Sequence, residues 1–194
     1  MRQRLSEEVI GQLIQRLDLS RITPGLKVGL YRSLPDELNL ENLSRAFARM
    51  ECEIYFPRVL KSSESPEIKS LEWVKIPPKA VLDGDPEFWE KGSYRVLEPA
   101  SSLRGELAPA LDLVVVPGVA FGPAGERLGR GGGFYDRFLA QVPEVLRVAL
   151  AFDFQVLPSL PQNPWDQAMH WVLTEKFELQ TEFLKEWLNR CSKK

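Results

Sequence analysis

The chain has 194 residues, 44% of them hydrophobic and 27% charged, with a formal net charge of −2. That length fits one ordinary α/β domain spanning residues 1–194, with enough apolar material for a real core. The near-neutral balance argues against a general nucleic-acid or membrane surface, and no stretch is long and apolar enough to read as a membrane span or a signal peptide.

Leu5 to Asp18 predicts a helix, capped by Ser6 and buried through Ile10, Leu13, Ile14 and Leu17. Lys27 to Arg32 (KVGLYR) reads as a short strand, followed by the loop Ser33 to Glu37. Asn39 is placed to cap a helix to about Met50, with Leu40, Leu43, Phe47 and Met50 inward, and Glu53 to Pro57 is the next strand. This strand–loop–helix–strand order predicts a parallel sheet, with ligands bound beyond the carboxyl ends of its strands.

Lys61 to Ser70 is polar and reads as a loop, Leu71 to Ile76 as a strand, and the proline- and acid-rich Pro77 to Trp89 as irregular. Trp73 and Trp89 are core candidates that could otherwise line a flat ligand. Leu111 to Val116 reads as a buried strand, broken only by Asp112. Leu146 to Phe152 (LRVALAF) is another buried strand, with Asp153 at its end. His170 to Thr174 is predicted as the final strand, and Glu178 to Arg190 as a closing amphipathic helix. Cys52 and Cys191 are far apart and lack metal-ligand spacing, which suggests free thiols in a reducing cytoplasm.

The most informative stretch is Leu111–Leu139, LDLVVVPGVAFGPAGERLGRGGGFYDRFL. After the strand come Gly129, Gly131, Gly132 and Gly133, and then a helix start at Phe134-Tyr135-Asp136. Strand, glycine loop and helix start can together hold an anion, because free N–H groups and the helix dipole point at the ligand. Arg127 and Arg130 within the loop suit phosphate or carboxylate oxygens. Asp136 would repel phosphates unless a cation lay between, and Mg²⁺ commonly takes one or two carboxylates plus phosphate oxygens. The alternative is a tight turn in which Asp136 only complements the helix dipole. Phe134 stands where a dinucleotide fingerprint begun at Gly129 would need glycine. No lysine and hydroxyl residue follow Gly133 to complete a P-loop. With a single histidine, His170, no Ser-His-Asp or Cys-His set is evident.

The segment PGVAFGPAGERLGRGGGFYDRFL closely resembles the signature of the 5-formyltetrahydrofolate cyclo-ligase family, also called 5,10-methenyltetrahydrofolate synthetases. The resemblance covers most of the chain from about Leu26 to Glu175 and is weak over Lys61–Lys91. It implies one three-layer α/β/α domain with a mixed, mostly parallel sheet. It also implies cyclisation of 5-formyltetrahydrofolate to 5,10-methenyltetrahydrofolate, with ATP as co-substrate and Mg²⁺ as cofactor.

Carried over residue by residue, the family pattern assigns ATP binding to Arg127, Leu128, Gly129, Arg130, Gly131, Gly132, Gly133, Phe134 and Tyr135. Folate binding falls to Arg32 and Glu37, together with Arg130, Gly131, Gly132, Gly133 and Phe134. Arg130, Arg127 and Tyr135 become catalytic candidates. Asp136 and Asp166 become magnesium ligands, with Trp165 where the family often has histidine. Glu98, in a segment ending Glu-Pro, is a weaker pocket candidate. Family members usually begin with a basic helix that contacts ATP, and Arg2 and Arg4 stand nearest that place. A cytoplasmic monomer acting on small molecules is expected, with no nucleic acid or membrane partner. Two other readings remain open: a non-catalytic folate- or nucleotide-binding protein, and a sugar-phosphate or coenzyme-A enzyme of related fold.

Overall fold

The computed structural model describes residues 2–17, 22–61, 69–92 and 96–191. Its helices are α1 (Arg2–Arg16), α2 (Glu41–Arg49), α3 (Pro78–Asp83), α4 (Phe134–Gln141) and α5 (Glu182–Cys191). The strands are β1 (Lys27–Gly29), β2 (Glu53–Lys61), β3 (Lys69–Ile76), β4 (Trp89–Lys91), β5 (Leu97–Pro99), β6 (Gly105–Glu106), β7 (Leu113–Val115), β8 (Ala120–Phe121), β9 (Arg127–Leu128), β10 (Leu146–Leu150), β11 (Trp171–Leu173) and β12 (Glu178–Gln180).

Among the described residues the main sheet has eight strands, in the order β12-β11-β10-β7-β1-β2-β3-β6. Its five central strands are parallel, with Val28 beside both Ile54 and Leu113. Antiparallel neighbours β12, β3 and β6 finish the two sides. This is the mixed, mostly parallel sheet that the sequence predicts.

Alternation along the strands builds two cores. Leu113, Val115, Leu146, Val148, Leu150, Trp171 and Leu173 pack on one face with α1, α2, α3 and α5. Val114, Ala149 and Val172 face the opposite way, against Phe138 and Leu139 of α4. Strands sandwiched in this way read as continuous apolar runs, which explains LVVV and, apart from Arg147, LRVAL. Each large aliphatic side chain fully buried here contributes about 1.5–3 kcal/mol relative to exposure.

Several local expectations change. Ser6 does not cap α1, which begins at Arg2; Ser6 is buried within it, and its Oγ accepts a hydrogen bond from the Asn39 backbone N–H at 3.3 Å. Arg2 and Arg4 thus lie within the first helical turns rather than ahead of them, and Asp18 falls outside the described residues. The ends of the Lys61–Ser70 segment are strand: β2 runs to Lys61 and β3 starts at Lys69, while 62–68 lie outside the described residues. His170–Thr174 does not hold the final strand, because Glu178–Gln180 adds β12 antiparallel to β11. The closing helix therefore starts at Glu182, after the Thr181 hydroxyl and N–H both donate to the His170 carbonyl.

The Pro77–Trp89 region read as irregular holds α3 and ends where β4 begins; β4 and β5 then pair as a ribbon, of which residues 93–95 are outside the described set. Arg58 on β2 anchors that ribbon to the sheet. Its guanidinium binds the Glu72 carboxylate and donates to the carbonyls of Ala100 and Leu103, the latter at 3.0 Å.

Candidate active site

The glycine loop begins where β8 and β9 form a two-stranded ribbon, with the Val119 N–H donating to the Leu128 carbonyl at 2.7 Å. It ends at Gly133, which precedes α4 with φ 61°, and Gly131 has φ 86°. Both values lie in the left-handed region, where a side chain would be strained, so these two glycines are what let the loop turn.

The loop after β1 faces it. The Ser33 hydroxyl donates to the Leu38 carbonyl at 2.8 Å and accepts from the Leu40 N–H at 3.1 Å. The Leu34 N–H donates to Glu37 Oε2 at 2.9 Å, which fixes the carboxylate. Arg130 joins the two loops: its Nη2 lies 2.8 Å from Asp36 Oδ2 and 3.6 Å from Glu37 Oε1. The two loops, both at strand ends, thus share one crevice.

Between them lies a cavity of about 410 Å³. Its wall includes Arg32, Glu37, every residue from Arg127 to Asp136, and Asp166. All the predicted site residues thus converge on one space. A second cavity of about 580 Å³ lies alongside, reaching Arg2, Gln3 and Ser6 of α1. The two share Tyr31, Arg32, Leu34, Glu37, Val96 and Leu97 as a common wall. Arg2 also donates to the Pro35 carbonyl at 3.4 Å, so α1 touches the Ser33–Glu37 loop.

Individual side chains differ in what they offer. Arg127 is buried, and its Nη2 is 2.7 Å from both carboxylate oxygens of Asp136. Its Nη1 donates to the Pro117 carbonyl at 3.2 Å, while its Nε has no partner among the described residues. Asp136 Oδ1 also accepts the Gln167 backbone N–H at 3.2 Å. Arg130 is exposed on 53% of its side chain, so its charge is the accessible one. Arg32 lies over the Trp89 ring at 4.1 Å, and Phe56 meets the same ring edge-on at 4.9 Å. Trp89 is therefore occupied by neighbours, and Trp73 is fully buried in the core.

Asp166 accepts the Asn163 N–H at 2.8 Å, and Trp165 beside it is 66% exposed at the cavity edge. Glu98 is buried in the cavity wall, where it accepts the Val59 N–H at 3.2 Å. His170 is remote from this site; its Nδ1 accepts the Arg147 backbone N–H at 3.2 Å, and its ring stacks on Phe183 at 4.0 Å.

The electrostatics divide the same way. Burial raises the Glu37 carboxyl above its ordinary range, partly offset by its hydrogen bond from Leu34 and the charge of Arg130. The hydrogen bond from Arg130 lowers Asp36 and raises Arg130 in turn. Burial, reinforced by the Glu37 charge, pushes the Tyr31 and Tyr135 phenols far up, so both remain O–H donors at neutral pH. Asp36 and Tyr31 were not among the site residues predicted from sequence. A tyrosine near the carboxyl end of the first predicted strand was the available signal for Tyr31.

A parallel α/β sheet with a glycine loop and an acidic loop at one crevice defines the class of proteins that bind phosphorylated small molecules at strand ends. The model of the 5-formyltetrahydrofolate cyclo-ligase family matches residues 3–175, and the chain belongs to that family. The 5-formyltetrahydrofolate cyclo-ligase of Escherichia coli strain K12 is 40% identical over 150 residues, covering 76% of each chain. A probable 5-formyltetrahydrofolate cyclo-ligase of Caenorhabditis elegans is 28% identical over 158 residues, covering 77% of this chain and 72% of the relative. Among solved structures, the 5,10-methenyltetrahydrofolate synthetase of Aquifex aeolicus superposes with TM-score 0.69 at 31% identity, covering 93% of this chain and 83% of its own. The Mycoplasma pneumoniae synthetase shares the fold at TM-score 0.65 and 17% identity, over 90% of this chain and 87% of its own. The resemblance carried by the glycine-loop signature, and the enzyme it implies, are thus met.

Proposed function

We propose that this chain cyclises 5-formyltetrahydrofolate to 5,10-methenyltetrahydrofolate, using ATP and releasing ADP and phosphate. The observation that carries the reading is the junction at Arg130, which brings the glycine loop and Glu37 to one cavity. The formyl oxygen attacks the γ-phosphorus, giving an iminium phosphate and ADP. N10 then attacks the activated carbon, gives up its proton to solvent, and phosphate leaves.

Phosphoryl transfer needs positioning and charge neutralisation more than a covalent catalyst. The amides from Gly129 to Gly133 cradle phosphate oxygens, and Arg130 moves its exposed charge from Asp36 to the phosphates. The Glu37 carboxylate accepts N–H bonds from the aminopyrimidine edge of the substrate. Arg127 acts mainly by holding Asp136. Tyr135, at the start of α4, donates on the phosphate side. Asp136 and Asp166 line the same cavity and are hard oxygen donors, so the set fits Mg²⁺. Bound there, the ion would neutralise phosphate charge. The reading includes a monomer in the cytoplasm that acts on small molecules alone.

The test is the absorbance of methenyltetrahydrofolate formed from 5-formyltetrahydrofolate, with and without ATP and magnesium. Product that requires both supports the reading. Folate binding without product would make this a binding protein, and binding of a sugar phosphate without folate would replace the reading altogether.

A further inference from the structure

Tyr31 follows β1 and is only 6% exposed, yet it lines both cavities. Its hydroxyl makes no hydrogen bond with any described residue, nor is it sealed in the core like the Trp73 indole nitrogen. A buried polar group without a partner costs stability. The Tyr31 side chain lines both cavities, and that is where a partner for its hydroxyl is to be sought.

The two tyrosines of the site divide by place. Tyr135 belongs to the first cavity alone, at the foot of α4, with the Arg127 guanidinium 6.0 Å from its ring centre. Tyr31 sits on the common wall with Glu37, six positions before it in the chain. Both tyrosines line the first cavity with Glu37, and Tyr31 alone of the two extends with Glu37 along the second. An acidic group and a protonated phenol on one wall present an acceptor and a donor together. A heterocycle with adjacent N–H and carbonyl groups, such as the pyrimidinone part of a pterin, matches that pair. We propose that the Tyr31 hydroxyl donates a hydrogen bond to the ring end of the folate substrate, beside the N–H groups taken by Glu37. This rests on the folate reading above. Burial and the Glu37 charge keep the phenol protonated across the neutral range, as a donor must be.

The experiment is Tyr31→Phe, which removes one oxygen and keeps the ring. The hydroxyl has no partner among the described residues, so melting temperature should stay the same or rise. KM for 5-formyltetrahydrofolate should rise about three- to tenfold, the worth of one net hydrogen bond, while KM for ATP stays within about twofold. Equilibrium binding of 5-formyltetrahydrofolate without ATP should weaken by the same factor. An unchanged folate KM overturns the proposal. So does a marked fall in melting temperature with both KM values raised, since the hydroxyl would then serve the fold. Wild-type protein that neither binds nor converts 5-formyltetrahydrofolate would remove the folate reading itself, and this assignment with it.

Discussion

Arg127 and Asp136 clasp each other across the glycine loop, with one guanidinium nitrogen 2.7 Å from both carboxylate oxygens. Only 4% of the arginine side chain and 15% of the aspartate side chain are exposed. Breaking such a pair leaves an uncompensated charge with little water around it. Arg127→Ala should therefore lose about 3–5 kcal/mol of stability, read from the denaturant midpoint at constant m-value. A loss below about 1 kcal/mol would mean that the pair does not brace the loop.

Arg130 should behave in the opposite way. Its bridge to Asp36 joins two side chains that are 53% and 57% exposed. Exposed pairs contribute about 0–1 kcal/mol, so Arg130→Ala should leave stability nearly unchanged. Turnover should fall by about 10²–10³, as expected on removing one donor to developing phosphate charge. Normal turnover in that variant would exclude Arg130 from the chemistry.

Among the described residues the Asp166 carboxylate is held only by Asn163, through its N–H at 2.8 Å and its side-chain amide at 3.5 Å. Asp166→Asn should raise the magnesium concentration needed for half-maximal activity, with a stability change of about 0.5 kcal/mol or less. Asp136→Asn should change both quantities, since the same carboxylate neutralises Arg127. Magnesium titrations of the two variants beside their melting curves separate the roles. Identical magnesium curves for wild type and Asp166→Asn would strike Asp166 from the metal set.

His170 predicts an acid limit to stability. Burial, aided by the Arg147 charge, lowers its pKa to about 4. The unfolded value is about 6.5, so the unfolded chain binds the proton more readily below that pH. The contribution of His170 is fully present above about 6.5 and is lost as pH falls toward 4. His170→Gln should flatten the stability profile between those values, relative to wild type, in denaturation measured at successive pH. A slope unchanged by that substitution would assign the acid sensitivity elsewhere.

Much of the site was legible because it lies in one continuous stretch. The valine run of β7, the glycines and the start of α4 are adjacent in sequence, and chain order alone put the Glu37 loop at the same end of the sheet. The partners were harder to see. Nothing in the sequence marks Arg127 as bound to Asp136, because the pairing depends on how the five residues from Gly129 to Gly133 turn the chain back. The ribbons β4–β5 and β8–β9 have two or three residues per strand, too few for any periodicity to register. Glu178–Gln180 fits a helical pattern through Leu179, but pairing with β11 overrides it.

The wall carrying Leu97 and Glu98 is a ribbon of three-residue strands, and a lone two-stranded ribbon is marginal in water. Besides the Val59–Glu98 bond and the contacts on Trp89, it is anchored by Arg58, which grips the loop after β5 and the β3 side chain of Glu72 together. One guanidinium thus ties the β2–β3 pair of the sheet and this cavity wall into a single mechanical body. Opening of either would release the other, so their amides should exchange with solvent as one cooperative unit. The shape of the substrate pocket is therefore governed partly from β2, outside the signature segment.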